Sequence, residues 1–123
     1  MHIGEVAART ELSLRSLRHW EEVGLIAPSG RTDGGFRLYT EADVEKILVI
    51  RRMKPLGFGL EQMRDVMRDL EALDSPDLSG ADRAAVRSRL EAIRAEATER
   101  RGSLVRQLEM ADEFLALIDA QAE

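Results

Sequence analysis

Between Val86 and Ile118 the chain sets apolar residues at Val86, Leu90, Ile93, Ala97, Leu104, Leu108, Ala111, Leu115 and Ile118, in steps of four and three, with Arg100 at the seam position that breaks the series. This spacing keeps side chains on one stripe of an α-helix and does not suit a strand, whose faces alternate residue by residue. Two fours follow one another near Gly102, a stutter that changes the supercoil without ending the helix. A helix of roughly 36 residues is about 54 Å long, more than the width of a head built from the rest of the chain. Much of the stripe therefore has to meet an apolar partner elsewhere. A second copy is the simplest one, and the nine residues are expected at a two-fold dimer interface. Val105, Met110, Phe114 and Leu117 add a second apolar face. Met110, Phe114 and Leu117 are expected either to pack on a head, the chain's own or its partner's, or to line an effector pocket.

With 123 residues, 44% of them hydrophobic, the chain can bury one modest core without staples. Cysteine is absent, which removes disulfides and thiolate metal sites and suits a reducing compartment. No apolar run approaches the roughly 20 residues of a membrane span, and MHIGEVAART lacks the plan of a signal peptide, so a cytoplasmic location and no membrane partner are expected. The net charge of −5 is unevenly spread. Residues 1–60 carry nine basic against eight acidic side chains and residues 61–123 nine against fifteen, so a near-neutral head precedes an acidic tail.

Periodicity divides the head into four helices and a hairpin. Ile3, Val6 and Ala7 mark a short first helix. Ser13 is a good N-cap for a second, with Leu14, Leu17 and Trp20 or Val23 turned inward and Gly24 at the helix-ending position. The pair reads as a helix-turn-helix. After Pro28, Arg31 and Thr32, the turn Asp33-Gly34-Gly35 and the segment Phe36 to Tyr39 read as a β-hairpin wing. Thr40 and Asp43 resemble a capping box before a helix burying Val44, Ile47, Leu48, Ile50 and Met53. A fourth helix starts near Leu60 and buries Met63, Val66 or Met67, and Leu70; the ALDSPDLSG segment then gives a linker at 71–79. The organisation expected is a head at 1–70, the linker, and a coiled-coil helix at 80–120 with no separate effector domain. The class is mostly α.

Duplex DNA presents a dense line of phosphates and a major groove that admits one helix. The second helix leaves Arg15, Ser16, Arg18 and His19 on its outer side, and a guanidinium can grip guanine or phosphate with paired hydrogen bonds. The alternative for these side chains is a solvated face paired with Glu21 and Glu22. In the wing, Arg37 and Tyr39 flank Leu38 and should share a face, where they could clamp a phosphate; otherwise Tyr39 is a half-buried strand residue. Trp20 is expected in the core. No catalytic residue, cofactor or metal site is expected: there is no Cys, no free His and no phosphate-cradling glycine loop, and His19 with Glu22 makes too small a ligand set.

The series IGEVAART, LSLRSLRHWEEVGLI, GRTDGGFRLYTEADVEKILVIRRMKPLGF and LEQMRDVM resembles the DNA-binding domain of the MerR family of transcriptional regulators over roughly residues 1–70. The resemblance implies a winged helix-turn-helix head and a homodimer whose long helices pair antiparallel on a near-palindromic promoter operator. It further implies distortion of the promoter spacer to the benefit of RNA polymerase. By position, Arg15, Ser16, Arg18 and His19 would contact the groove and phosphates, and Arg37 and Tyr39 the flanking backbone. Three residues depart from the family pattern. Glu11 stands where a turn glycine is usual, so the turn must avoid positive φ or carry strain; His19-Trp20 replaces a Tyr-Tyr pair; and Gly59 replaces a capping Ser. Metal sensors of the family use cysteines and its drug sensors a large extra domain, so the inducer, if there is one, is left open. The competing functions are an excisionase-like architectural factor, a simple repressor, and a coiled-coil module that binds only protein.

Overall fold

The computed structural model describes residues 1–122. In chain order they form α1 (Ile3–Thr10), α2 (Leu14–Glu22), β1 (Gly30–Arg31), β2 (Arg37–Leu38), α3 (Glu41–Met53), a 3-10 turn (Lys54–Leu56), α4 (Leu60–Leu73) and α5 (Gly80–Ala122). The chain divides into two compact units, Met1–Arg68 and a second that starts at Asp69.

In the first unit, helices are pinned at their ends by short polar side chains. The Ser13 hydroxyl accepts the Ser16 N–H at 3.0 Å and starts α2. Thr40 and Asp43 form the reciprocal box that starts α3: Thr40 Oγ1 accepts from the Asp43 N–H at 3.2 Å and Asp43 Oδ2 from the Thr40 N–H at 2.9 Å. Between these caps the apolar faces close on one core of Val6, Leu17, Trp20, Val44, Ile47, Ile50, Met53, Phe58, Met63, Val66 and Met67, all buried. Leu48, expected inside, is only half-buried.

Two polar features accompany that core. Thr10 is fully buried; its hydroxyl donates to Val6 O at 2.8 Å and its carbonyl accepts from Arg51 at 2.7 Å. Glu11 ends α1 at φ 57 and ψ 33, the one non-glycine residue at positive φ among those described. The helix-turn-helix thus keeps the left-handed corner that glycine adopts without strain, and Glu11 bears it.

In the second unit α5 runs unbroken for 43 residues, about 65 Å at 1.5 Å per residue, longer than the spacing alone suggested. Gly102 and the stutter do not interrupt it. Ser79 caps its first turn, accepting from the Asp82 N–H at 3.1 Å. Arg83 donates to the carbonyls of Leu73 at 3.1 Å and Ser75 at 3.2 Å, which fixes the turn before the helix. Of the nine seam residues only Val86 is buried; Leu90, Ile93 and Ala97 are half-buried, and Leu104, Leu108, Ala111, Leu115 and Ile118 are exposed. Met110, Phe114 and Leu117 are also exposed, each by more than half.

Candidate nucleic-acid interface

The outer face of α2 carries Arg15, Arg18 and His19 in solvent, because Leu17 and Trp20 between them anchor the opposite face in the core. Among the described residues the side chains of all three meet no hydrogen-bond or ion-pair partner. They share a shallow groove with Leu14 and Glu22. Ser16 is half-buried, and its hydroxyl accepts from Ser13 at 3.0 Å, so it belongs to the helix cap as much as to the exposed face.

The wing is a two-stranded antiparallel hairpin with Gly30 opposite Leu38 and Arg31 opposite Arg37. Its turn closes through Gly35 N–H to Thr32 O at 2.9 Å and Phe36 N–H to Thr32 Oγ1 at 3.1 Å, with Gly35 at φ 83. Two arginines directly opposite on a ladder repel one another. Here Glu21 of α2 reaches both: its Oε1 lies 3.3 Å from Arg31 Nη2, and its Oε2 pairs with Arg37 Nε. The carboxylate is only 15% exposed, against 50% for Arg31 and 35% for Arg37. Glu21 is therefore committed to the wing, and the alternative in which it pairs with the cations of its own helix does not form. A shallow groove between helix and wing is lined by Arg18, Glu21, Glu22 and Arg37.

Tyr39 corrects an expectation. It does not share the solvent face of Arg37 but is 3% exposed. The strand ends at Leu38, so the alternation stops there, and the chain start docks alongside: the Met1 amine donates to Tyr39 O at 2.7 Å and the Tyr39 N–H to Met1 O at 2.8 Å. The Tyr39 hydroxyl is buried with no hydrogen-bond partner among the described residues. Burial, and after it the nearby Glu21 carboxylate, push its pKa above the ordinary tyrosine value. A phenol this deeply buried does not reach a phosphate on the surface, whatever its protonation state. Sequence reasoning missed Arg31 and Glu21 as site residues. Hairpin register was the available signal for Arg31, since equal distance from the turn sets it against Arg37.

The sequence model of the MerR helix-turn-helix family regulatory proteins matches residues 1–70. The chain belongs to the MerR family. Among its MerR-family relatives, the transcriptional regulator YfmP of Bacillus subtilis is 38% identical over 117 residues, covering 92% of this chain and 79% of the relative. Nodulation protein NolA of Bradyrhizobium elkanii is 42% identical over 71 residues, covering 58% of this chain and 32% of NolA, so the chain spans about a third of that protein's length. In fold it is similar to HiNmlR, a MerR-family regulator lacking the sensor domain and crystallised on promoter DNA. The TM-score is 0.71 at 17% identity, over 92% of this chain and 78% of that one. The MerR match covers α1, α2, the wing, α3 and most of α4, and so takes in every arginine of the face just described.

Proposed function

We propose that this MerR-family protein is a sequence-specific, homodimeric transcriptional regulator that lays α2 in the major groove of a near-palindromic promoter operator and sets its wing on the flanking backbone. The observation that carries this reading is the face formed by Arg15, Arg18 and His19, exposed and uncommitted on a helix whose other side is locked into the core. Arg15, Arg18 and His19 are the groove and phosphate contacts, with Ser16 at the margin, and Arg37 is the backbone contact of the wing. The similarity in fold to HiNmlR, a MerR-family regulator bound to promoter DNA, supports the reading.

The surface of α5 supports dimerisation. Leu104, Leu108, Leu115 and Ile118 are between 40% and 62% exposed, an apolar stripe that water alone would not leave uncovered on a long helix. A second copy, antiparallel as the family resemblance implies, covers the seam from Val86 to Ile118 and brings Met110, Phe114 and Leu117 to the partner's head. Two heads fixed by one paired rod then read two half-sites and untwist the spacer between them, to the benefit of RNA polymerase. The protein acts without catalysis and works in the cytoplasm, where promoter DNA is met. No described helix is long and apolar enough to cross a membrane.

Selecting bound fragments from a genomic pool and footprinting them tests the reading. Two protected half-sites at fixed spacing are expected, and Arg18→Ala should cost about 1–3 kcal/mol and relax base preference. In vitro transcription from an overlong spacer should rise with added protein. Material that stays monomeric at micromolar concentration, or that gives no footprint, would overturn the proposal.

A further inference from the structure

The wing holds two cations, yet both end on one carboxylate. Arg31 is doubly engaged, Nη2 on Glu21 at 3.3 Å and Nη1 on the Gly35 carbonyl at 3.2 Å. Arg37 is held at Nε alone, which leaves its two Nη groups without a partner among the described residues. The carboxylate that makes both contacts comes from the last turn of the reading helix and is itself mostly buried. Because Arg31 and Arg37 are direct cross-strand partners, the carboxylate also cancels a repulsion that would otherwise splay the pair into solvent.

Resting on the DNA-binding reading above, we propose that Glu21 is a positioning residue that sets selectivity for the operator. It withholds Arg31 from phosphates and orients Arg37 so that only its Nη edge is offered, tying that edge to the register of α2. The wing then meets DNA as one aimed cation instead of two mobile ones. Mobile surface cations bind any phosphate line equally, so freeing them adds affinity for all duplexes. An aimed one adds affinity only where the reading helix is already seated, which is a difference of affinities between right and wrong sites.

The test compares Glu21→Gln with Glu22→Gln, which removes the same charge one residue further along the helix, from a side chain that forms no ion pair with Arg31 or Arg37. The probes are a duplex selected by the wild-type protein from a random-sequence pool and an alternating poly(dI-dC) duplex. Anisotropy titrations from 50 to 200 mM salt supply the readout, and melting temperatures verify folding. For E21Q, binding to poly(dI-dC) should tighten and its loss across that salt range should grow by about three- to fourfold, the increment of one added phosphate contact. The selected duplex should gain less, or weaken, so selectivity falls. Adding Arg31→Ala to E21Q should abolish the gain on poly(dI-dC). E22Q should shift both duplexes alike. The inference is overturned if E21Q and E22Q act identically on both duplexes, or if E21Q with R31A keeps the gain. Failure of the wild-type protein to select any duplex would instead sink the DNA-binding reading itself.

Discussion

Arg89 of α5 grips the Asp69 carboxylate side-on, Nη2 lying 2.9 Å from Oδ1 and Nε 3.1 Å from Oδ2. Asp69 is 7% exposed while more than half of the Arg89 side chain faces water, so the acid is the desolvated member and the one whose loss is felt. Asp69→Ala should lower unfolding stability by about 1–2 kcal/mol by deleting the acceptor of a charge-assisted pair, and the exposed Arg89 end keeps the figure below that of a fully buried bridge. Urea melts of D69A, R89A and the double variant measure it. Strict additivity of the two single effects would show that the pair contributes nothing.

Glu11 gives a gain instead of a loss. At φ 57 it occupies the left-handed region that an L side chain enters at a cost. Glu11→Gly should raise stability by about 0.5–1 kcal/mol, the relief of strain being partly offset by the entropy of a freer unfolded chain. A lower melting temperature for E11G would mean that the Glu11 side chain makes up for its backbone.

Acid should act through the α3 cap. Burial opposes the Asp43 carboxylate, but hydrogen bonds from the Ser29 hydroxyl at 2.5 Å and from Thr40 outweigh it and hold the group below the usual aspartate range. A folded pKa below the unfolded one means stability that is present above about pH 4, where the unfolded aspartate is ionised, and lost as pH falls through the folded value. Urea midpoints should therefore drop on acidification below that point. The drop should be shallower in D43N, and an identical acid profile for the two proteins would refute the assignment.

The Tyr39 hydroxyl makes a separable prediction. An unpartnered buried donor costs roughly 1–3 kcal/mol, so Tyr39→Phe should leave stability unchanged or raise it by about 1 kcal/mol, with DNA affinity unaltered. A marked loss of DNA binding in Y39F with stability intact would restore the phosphate contact that its burial argues against.

Local pattern carried most of the head into view. Ser13, the Thr40 and Asp43 box and the stripe Val44, Ile47, Ile50, Met53 lie within a turn or two of what they organise, so spacing alone identifies them. The exposed arginines of α2 were legible for the same reason, since burying Leu17 and Trp20 leaves them nowhere else to point. What escaped were features fixed across long sequence separations. Thr10 is buried because Arg51, 41 residues away, satisfies its carbonyl. Tyr39 is buried where its backbone pairs with Met1, 38 residues away, and strand alternation cannot reveal where a strand stops. Glu21 stood in an acidic doublet that periodicity treats as solvated, and only the fold brings the wing to it. Asp69 and Arg89 likewise meet only through the turn joining α4 to α5.

Past Ala97 every apolar seam residue of α5 is exposed in one chain. Helical segments without packing are marginal in water, and in the proposed homodimer a second copy would supply that packing. Folding of the last turns and assembly would then be one event that dilution reverses, so that the amount of paired rod would follow the concentration of the protein.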